Sequence, residues 1–208
     1  YATAMMGKWH LAGKYNKNND RDAVYPDQRG FDHFYGILGG ASSFYAPFGL
    51  KRNRDSIDHE FMNDENYYFT NAIGDEAISF LKQTPDQKPF FLYLPFTAAH
   101  WPLHAPVKDI EKYKGIFSKG WDQLRNKRLE RMKKLGVISK SVKLSSRHRK
   151  VPSWKDEKHK DWQERRMEVY AAQVTIMDRV IGNVIQHLEK IGKLNDTLIF
   201  FTIDNGGC

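Results

Sequence analysis

Apolar and polar positions alternate between two periods along this chain. Tyr1–Met6 is a short apolar run that breaks at Gly7-Lys8-Trp9-His10, the pattern of a buried strand ending in a loop. Pro89–Thr97 is a second such run, closing into Ala98-Ala-His-Trp-Pro-Leu-His-Ala-Pro106. Thr197–Ile203 is a third, stopping at Asp204-Asn-Gly-Gly207. Between them lie two stretches at helical spacing. Ile73, Ala77, Phe80 and Leu81 share one face of a helix predicted over 66–83, with Thr70 as N-cap and Pro85 and Pro89 beyond its end. Met167, Tyr170, Ala171, Val174, Met177, Ile181, Val184, Ile185 and Leu188 form a stripe on a helix predicted over 164–192, stopped by Gly192. A helix feeding a buried strand is an α/β unit. Residues 13–28 are polar and turn-rich, and 29–40 are aromatic and rich in glycine; both read as loop.

The 208 residues suffice for one domain-sized core, and no apolar run reaches membrane-span length. The chain starts on Tyr1, inside a strand pattern, and ends on Cys208 at the third strand's tip, so it reads as a piece cut at both ends, without a signal peptide. One cysteine excludes an internal disulfide. The net charge of +8 changes the picture more, because it is uneven. Residues 111–167 hold 19 Lys/Arg and 7 Asp/Glu, a balance of +12, against −4 for the remainder. The basic stretch, taken as 107–166, reads as a helical insertion. Its charges are scattered and carry no zinc-finger or RNA-binding motif, which disfavours nucleic acid; a solvated face or attraction of a polyanionic substrate remain.

The candidate chemistry falls at the three strand tips. Lys8 and His10 follow the first, and Asp204 and Asn205 end the third. His100 and His104 follow the second on a loop stiffened by prolines. In open α/β sheets ligand sites lie outside the C-terminal strand ends. A carboxylate beside an amide suits a hard cation, Ca²⁺ or Mg²⁺. Lys and His groups around it suit a tetrahedral oxyanion ester, a sulfate or a phosphate.

These motifs resemble, in order and spacing, those of the sulfatase family of arylsulfatase type. They are Gly7-Lys-Trp-His-Leu11, Gly30-Phe-Asp-His-Phe-Tyr-Gly36 with Gly40-Ala-Ser-Ser43, Pro89-Phe-Phe-Leu-Tyr-Leu-Pro with Ala99-His-Trp-Pro-Leu-His-Ala-Pro106, and Tyr170-Ala-Ala, Met177-Asp-Arg and Asp204-Asn-Gly-Gly207. The resemblance implies the central part of a catalytic domain with an alkaline-phosphatase-like three-layer sandwich, a mainly parallel sheet with helices on both faces. It implies that Lys8 binds sulfate and that His10 hydrogen-bonds a catalytic formylglycine. It also implies that His100 contacts the sulfate or leaving oxygen, that His104 and one of Ser42 and Ser43 line the substrate pocket, and that Asp204 and Asn205 ligate Ca²⁺. The family's Cys/Ser-x-Pro-x-Arg formylglycine motif is not in these residues, and Cys208 is not that residue. Two acidic metal ligands and a further Lys of the family pattern are also missing, so the isolated fragment is expected to be inactive. Sulfated small molecules or glycans are the implied partners. The implied compartment is the periplasm or exterior of a bacterium, or the lysosome or exterior if the source is an animal. A phosphate or phosphonate hydrolase on the same fold, and a non-catalytic polyanion-binding relative, are the alternatives.

Overall fold

The computed structural model describes residues 1–13 and 24–203. Asp204, Asn205 and Cys208 lie outside the described residues. The chain divides into two compact units, one of Tyr1–His104 with Gln173–Cys208 and one of Ala105–Ala172.

The first unit is built on a five-stranded sheet in the order β4-β3-β2-β1-β5. Strand β1 is Ala2–Lys8, β2 His33–Ile37, β3 Leu50–Arg52, β4 Asp55–Ser56 and β5 Phe90–Tyr93. Strands β2 and β5 flank β1 in parallel, while β3 and β4 close the other edge antiparallel. Side-chain alternation sends Ala2, Ala4 and Met6 of β1 to one face. There they meet Tyr35 and Ile37 of β2, together with the long helix α2, Phe69–Gln83, which follows the single turn α1, His59–Met62. Ile73, Ala77, Phe80 and Leu81 of α2 enter this core, as do Val184 and Leu188 of the last helix, α5, Lys160–Lys190. On the opposite face Met5 and Phe34 are covered by Trp9, Ala12, Tyr25 and Leu38. The α/β class agrees with the sequence reading. Among the described residues, however, both long helices of this unit pack on one face only, and the other is roofed by loops.

Several elements differ from expectation. Strand β2 forms inside the stretch read as loop, because Gly36 sits opposite Gly7 in register. A Cβ on Gly36 would stand 1.8 Å from the Gly7 carbonyl oxygen, so only glycine lets these backbones approach. Helix α2 begins at Phe69 after the extended Tyr68; Thr70 is therefore not its N-cap but a buried residue of its first turn. The buried stripe of α5 is Ala172, Ile176, Val180, Val184 and Leu188; Val184 and Leu188 are as expected, whereas before them the stripe is shifted by one position, and Val174 is exposed. The helix is apolar around much of its girth at Val174–Ile185, so periodicity admits either stripe and the packing partner selects. That partner is Gly74 of α2, where a Cβ would meet Val180 Cγ1 at 2.3 Å. Residues 197–203, expected as a strand, pair with no strand among the described residues, and Leu198 and Phe200 are 78% and 84% exposed. An apolar, β-branched run supplies the propensity for pairing but not the neighbour, and its ladder hydrogen bonds need one.

The second unit contains α3, Val107–Ile110, and α4, Gly120–Lys134, and takes in the first part of α5. Gly120 leaves room for the Trp154 indole, whose ring stands edge-on to Trp121 with centroids 4.8 Å apart. Buried Glu168 accepts from the Gly115 amide at 3.0 Å and pairs with Arg165 at 2.9 Å, so its charge is neutralised. Beyond α4, residues 139–152 are exposed loop rather than helix. No described helix is long and apolar enough to cross a membrane.

Candidate active site

Because β1, β2 and β5 are parallel, their C-terminal ends open on the same edge of the sheet. Lys8 is the last residue of β1, half-buried, and its amide donates to Pro95 O, just beyond β5, at 2.8 Å. The two exits are thus tied together by backbone. A Cβ on Gly7 would fall 2.2 Å from Pro95 O, so the glycine before Lys8 is what permits this approach. On the other side the Trp9 and His10 amides donate to Ile37 O and Leu38 O at 2.9 and 3.1 Å. Trp9 is buried, and its indole N–H donates to Val24 O at 2.7 Å. That anchor leaves the next side chain, His10, exposed.

His10 adopts a left-handed backbone conformation, φ 54°, uncommon for a residue with a side chain. Its imidazole rests on Gly40, where an added Cβ would come within 2.5 Å of Nε2. The Gly39-Gly40 pair after β2 thereby forms the seat of a histidine delivered from β1.

The loop after Gly40 reaches the β5 exit. Ser43 Oγ lies 3.5 Å from His104 Nδ1 and accepts the Tyr45 and Ala46 amides at 3.2 Å each. Ser42 Oγ accepts the Phe48 amide. Both hydroxyls are thus engaged in shaping the aromatic loop. His104 packs against Tyr45, with centroids 5.8 Å apart, and its carbonyl accepts from Tyr68 Oη at 2.9 Å. His100 follows Thr97 on a turn closed by its own amide, and its Nδ1 lies 2.9 Å from Trp101 O. A carbonyl only accepts, so Nδ1 carries the proton and Nε2 is the nitrogen left for a ligand.

One residue of this region escaped sequence reasoning. Gln173 of α5 is fully buried, and its Nε2 lies 3.5 Å from Pro102 O, between the two histidines of the loop. Its Oε1 has no partner among the described residues. An amide within the largely apolar stretch 169–177 of α5 was the available signal. The structure thus connects Lys8, His10, the Gly40–Ser43 loop and His104 through backbone and side-chain contacts on one sheet edge, with His100 on the adjoining turn. A cleft of about 290 Å³ lies elsewhere in this unit, between α2 and α5, lined by Asn71, Asp75, Arg179 and Asn183. Burial raises the carboxyl pKa of Asp75 there.

The described residues contain no group of three His, Cys, Asp or Glu able to hold a metal. The oxygen donors of Asp204 and Asn205 are of the type a hard cation takes, but they are two of the six or more it needs.

The sulfatase family model matches residues 1–207. The chain belongs to the sulfatase family. It is 37% identical over 231 residues to an uncharacterised sulfatase of Schizosaccharomyces pombe, covering 99% of this chain and 39% of that protein. It is 31% identical over 225 residues to an arylsulfatase of Klebsiella aerogenes, covering 99% and 45%. This sulfatase chain therefore spans about two fifths of the length of the curated relatives it matches. A crystal structure of a putative sulfatase from Bacteroides fragilis shares its fold, with a TM-score of 0.60 and 18% identity over 93% of this chain and 38% of the other.

Proposed function

We propose that the protein is a sulfuric ester hydrolase of arylsulfatase type, acting on a sulfated small molecule or sulfated glycan. The observation that carries this reading is the shared edge of three parallel strands, from which Lys8, His10, His100 and His104 emerge in a chain of the sulfatase family. Kinship with a named arylsulfatase supports the aryl-ester class. In this reading the Lys8 ammonium binds non-bridging sulfate oxygens and stabilises charge that grows in the transition state. His100, fixed by the Trp101 carbonyl, presents Nε2 for proton transfer to the leaving oxygen. His10, held on Gly40, orients the nucleophilic group, and His104 with Ser43 shapes the pocket wall. A formylglycine from outside these residues would supply the nucleophilic oxygen. A Ca²⁺ on Asp204, Asn205 and further ligands would supply positive charge at the sulfate.

The test is hydrolysis of 4-nitrophenyl sulfate and 4-nitrophenyl phosphate by the full-length protein, with peptide mass spectrometry for formylglycine. Turnover of the sulfate, with Lys8→Ala lowering kcat/KM by roughly 10²- to 10³-fold, is the expected result. Preference for the phosphate, with an unmodified Ser or Thr nucleophile, would replace the sulfatase reading by a phosphate-ester hydrolase.

A further inference from the structure

The second unit carries a surface that the strand-tip site does not use. Between Gly120 and Val151 the sequence holds 11 Lys/Arg against 2 Asp/Glu. Both acids are occupied: Asp122 by Arg147 at 2.9 Å and the Trp154 amide at 2.7 Å, Glu130 by Lys133 at 3.6 Å. Lys127, Arg128, Arg131, Lys143, Arg149 and Lys150 are exposed and have no carboxylate partner among the described residues. Like charges at this density repel one another, and an anionic partner relieves that repulsion.

These cations are organised. The exposed segment 139–150 is strapped to α4 by Arg125, whose guanidinium donates to Ser145 O at 2.9 Å, and by the Arg147–Asp122 pair. Between strap and helix lies a cleft of about 120 Å³ lined by Arg125, Arg128, Leu129, Met132 and Leu144. It is a narrow aliphatic floor flanked by two guanidiniums. Guanidinium is the planar fork that recognises oxyanions, and an aliphatic floor suits the C–H face of a sugar ring. Single-stranded nucleic acid needs aromatic platforms for its bases. Here Trp121 and Trp154 are spent on each other, and the Trp121 N–H donates to Pro152 O at 3.1 Å.

We infer that this surface binds a sulfated polysaccharide, with a sulfate at Arg125 and Arg128 and a sugar ring on Leu129, Met132 and Leu144. The choice of sulfate among oxyanions rests on the proposed sulfatase activity; the polyanion site itself does not.

The full-length protein is titrated calorimetrically with a heparin oligosaccharide at several NaCl concentrations, beside inorganic polyphosphate and single-stranded DNA of matched charge. Heparin is expected to bind with a steep salt dependence. Replacing Arg128, Lys143 and Arg149 by Gln should lower the slope of log K against log salt by about 2. The triple variant should keep its melting temperature and its turnover of 4-nitrophenyl sulfate. Leu144→Ala should weaken heparin several-fold and leave polyphosphate, which has no ring, unchanged. Heparin affinity and slope unaltered in the triple variant would overturn the inference, as would DNA binding as tight as heparin. If heparin binds as expected while 4-nitrophenyl sulfate is not hydrolysed, the sulfatase reading falls and the polyanion surface stands.

Discussion

Gly40 is where a single hydrogen atom in place of a side chain has the clearest chemical consequence. Its backbone φ is not in the left-handed region, so alanine fits the local backbone; the conflict is with the His10 ring, 2.5 Å from the new Cβ. Gly40→Ala should therefore displace the imidazole rather than unfold the loop. A displacement of about 1 Å in a positioned catalytic group costs on the order of 10²-fold. On the proposed function, we expect kcat/KM of the full-length protein towards 4-nitrophenyl sulfate to fall by about that factor, with the melting temperature almost unmoved. An unchanged rate would separate His10 from the chemistry. At this scale the sequence was informative about identity and silent about supports. Lys8, His10, His100 and His104 stand out because ionisable groups after apolar runs mark strand tips. The Gly40 seat and the Gln173 contact to Pro102 O join residues 30 and 71 positions apart, and no local pattern encodes such a pair.

At the scale of elements, the crossing of α2 and α5 turns on Gly74 against Val180. Two effects oppose each other when Gly74 becomes Ala. Helix propensity gains about 1 kcal/mol, while forcing a methyl group against a packed side chain costs about 1–3 kcal/mol. The built contact of 2.3 Å is far inside van der Waals distance, so overpacking should win, with net destabilisation of about 1 kcal/mol. Val180→Ala alone leaves a cavity, and the double variant should be more stable than the two single effects sum to. Urea unfolding of the four proteins measures that coupling; strict additivity would mean that the helices do not pack through this pair. The same crossing explains why the α5 stripe could be read in the wrong rotation. The helix length and direction follow from its own residues, whereas the buried side depends on which neighbour is small enough to accept it.

At the scale of the whole molecule, burial in the first unit creates a pH dependence. The Tyr35 and Tyr67 hydroxyls lie 2.9 Å apart inside the core. Burial raises both phenol pKa values above 10, because the ionised form would lose its hydration. The folded state thus keeps protons that the unfolded state releases. The stabilisation is complete below the unfolded value of about 10 and is lost as pH rises above it. Stability should decline steeply between pH 10 and 11.5, and Tyr67→Phe should flatten that decline. Denaturant titrations at pH 9 and 11 check this; equal slopes in both proteins would exclude the tyrosine pair as the cause.

By itself the sequence determined the α/β class, two of the three expected strands, two of the three long helices, α2 and α5, to within a few residues, the confinement of positive charge to one segment, and the motifs that mark the sulfatase family. These are local quantities: period, composition and short spacings. Tertiary structure alone decided that β2 exists within a glycine-rich stretch, because its Gly36 must meet Gly7. It decided the buried side of α5, which is chosen by Gly74. Residues 198–203 are exposed and pair with no strand among the described residues, and propensity could not foretell this, because a strand is a relation between two segments and sequence propensity describes only one of them.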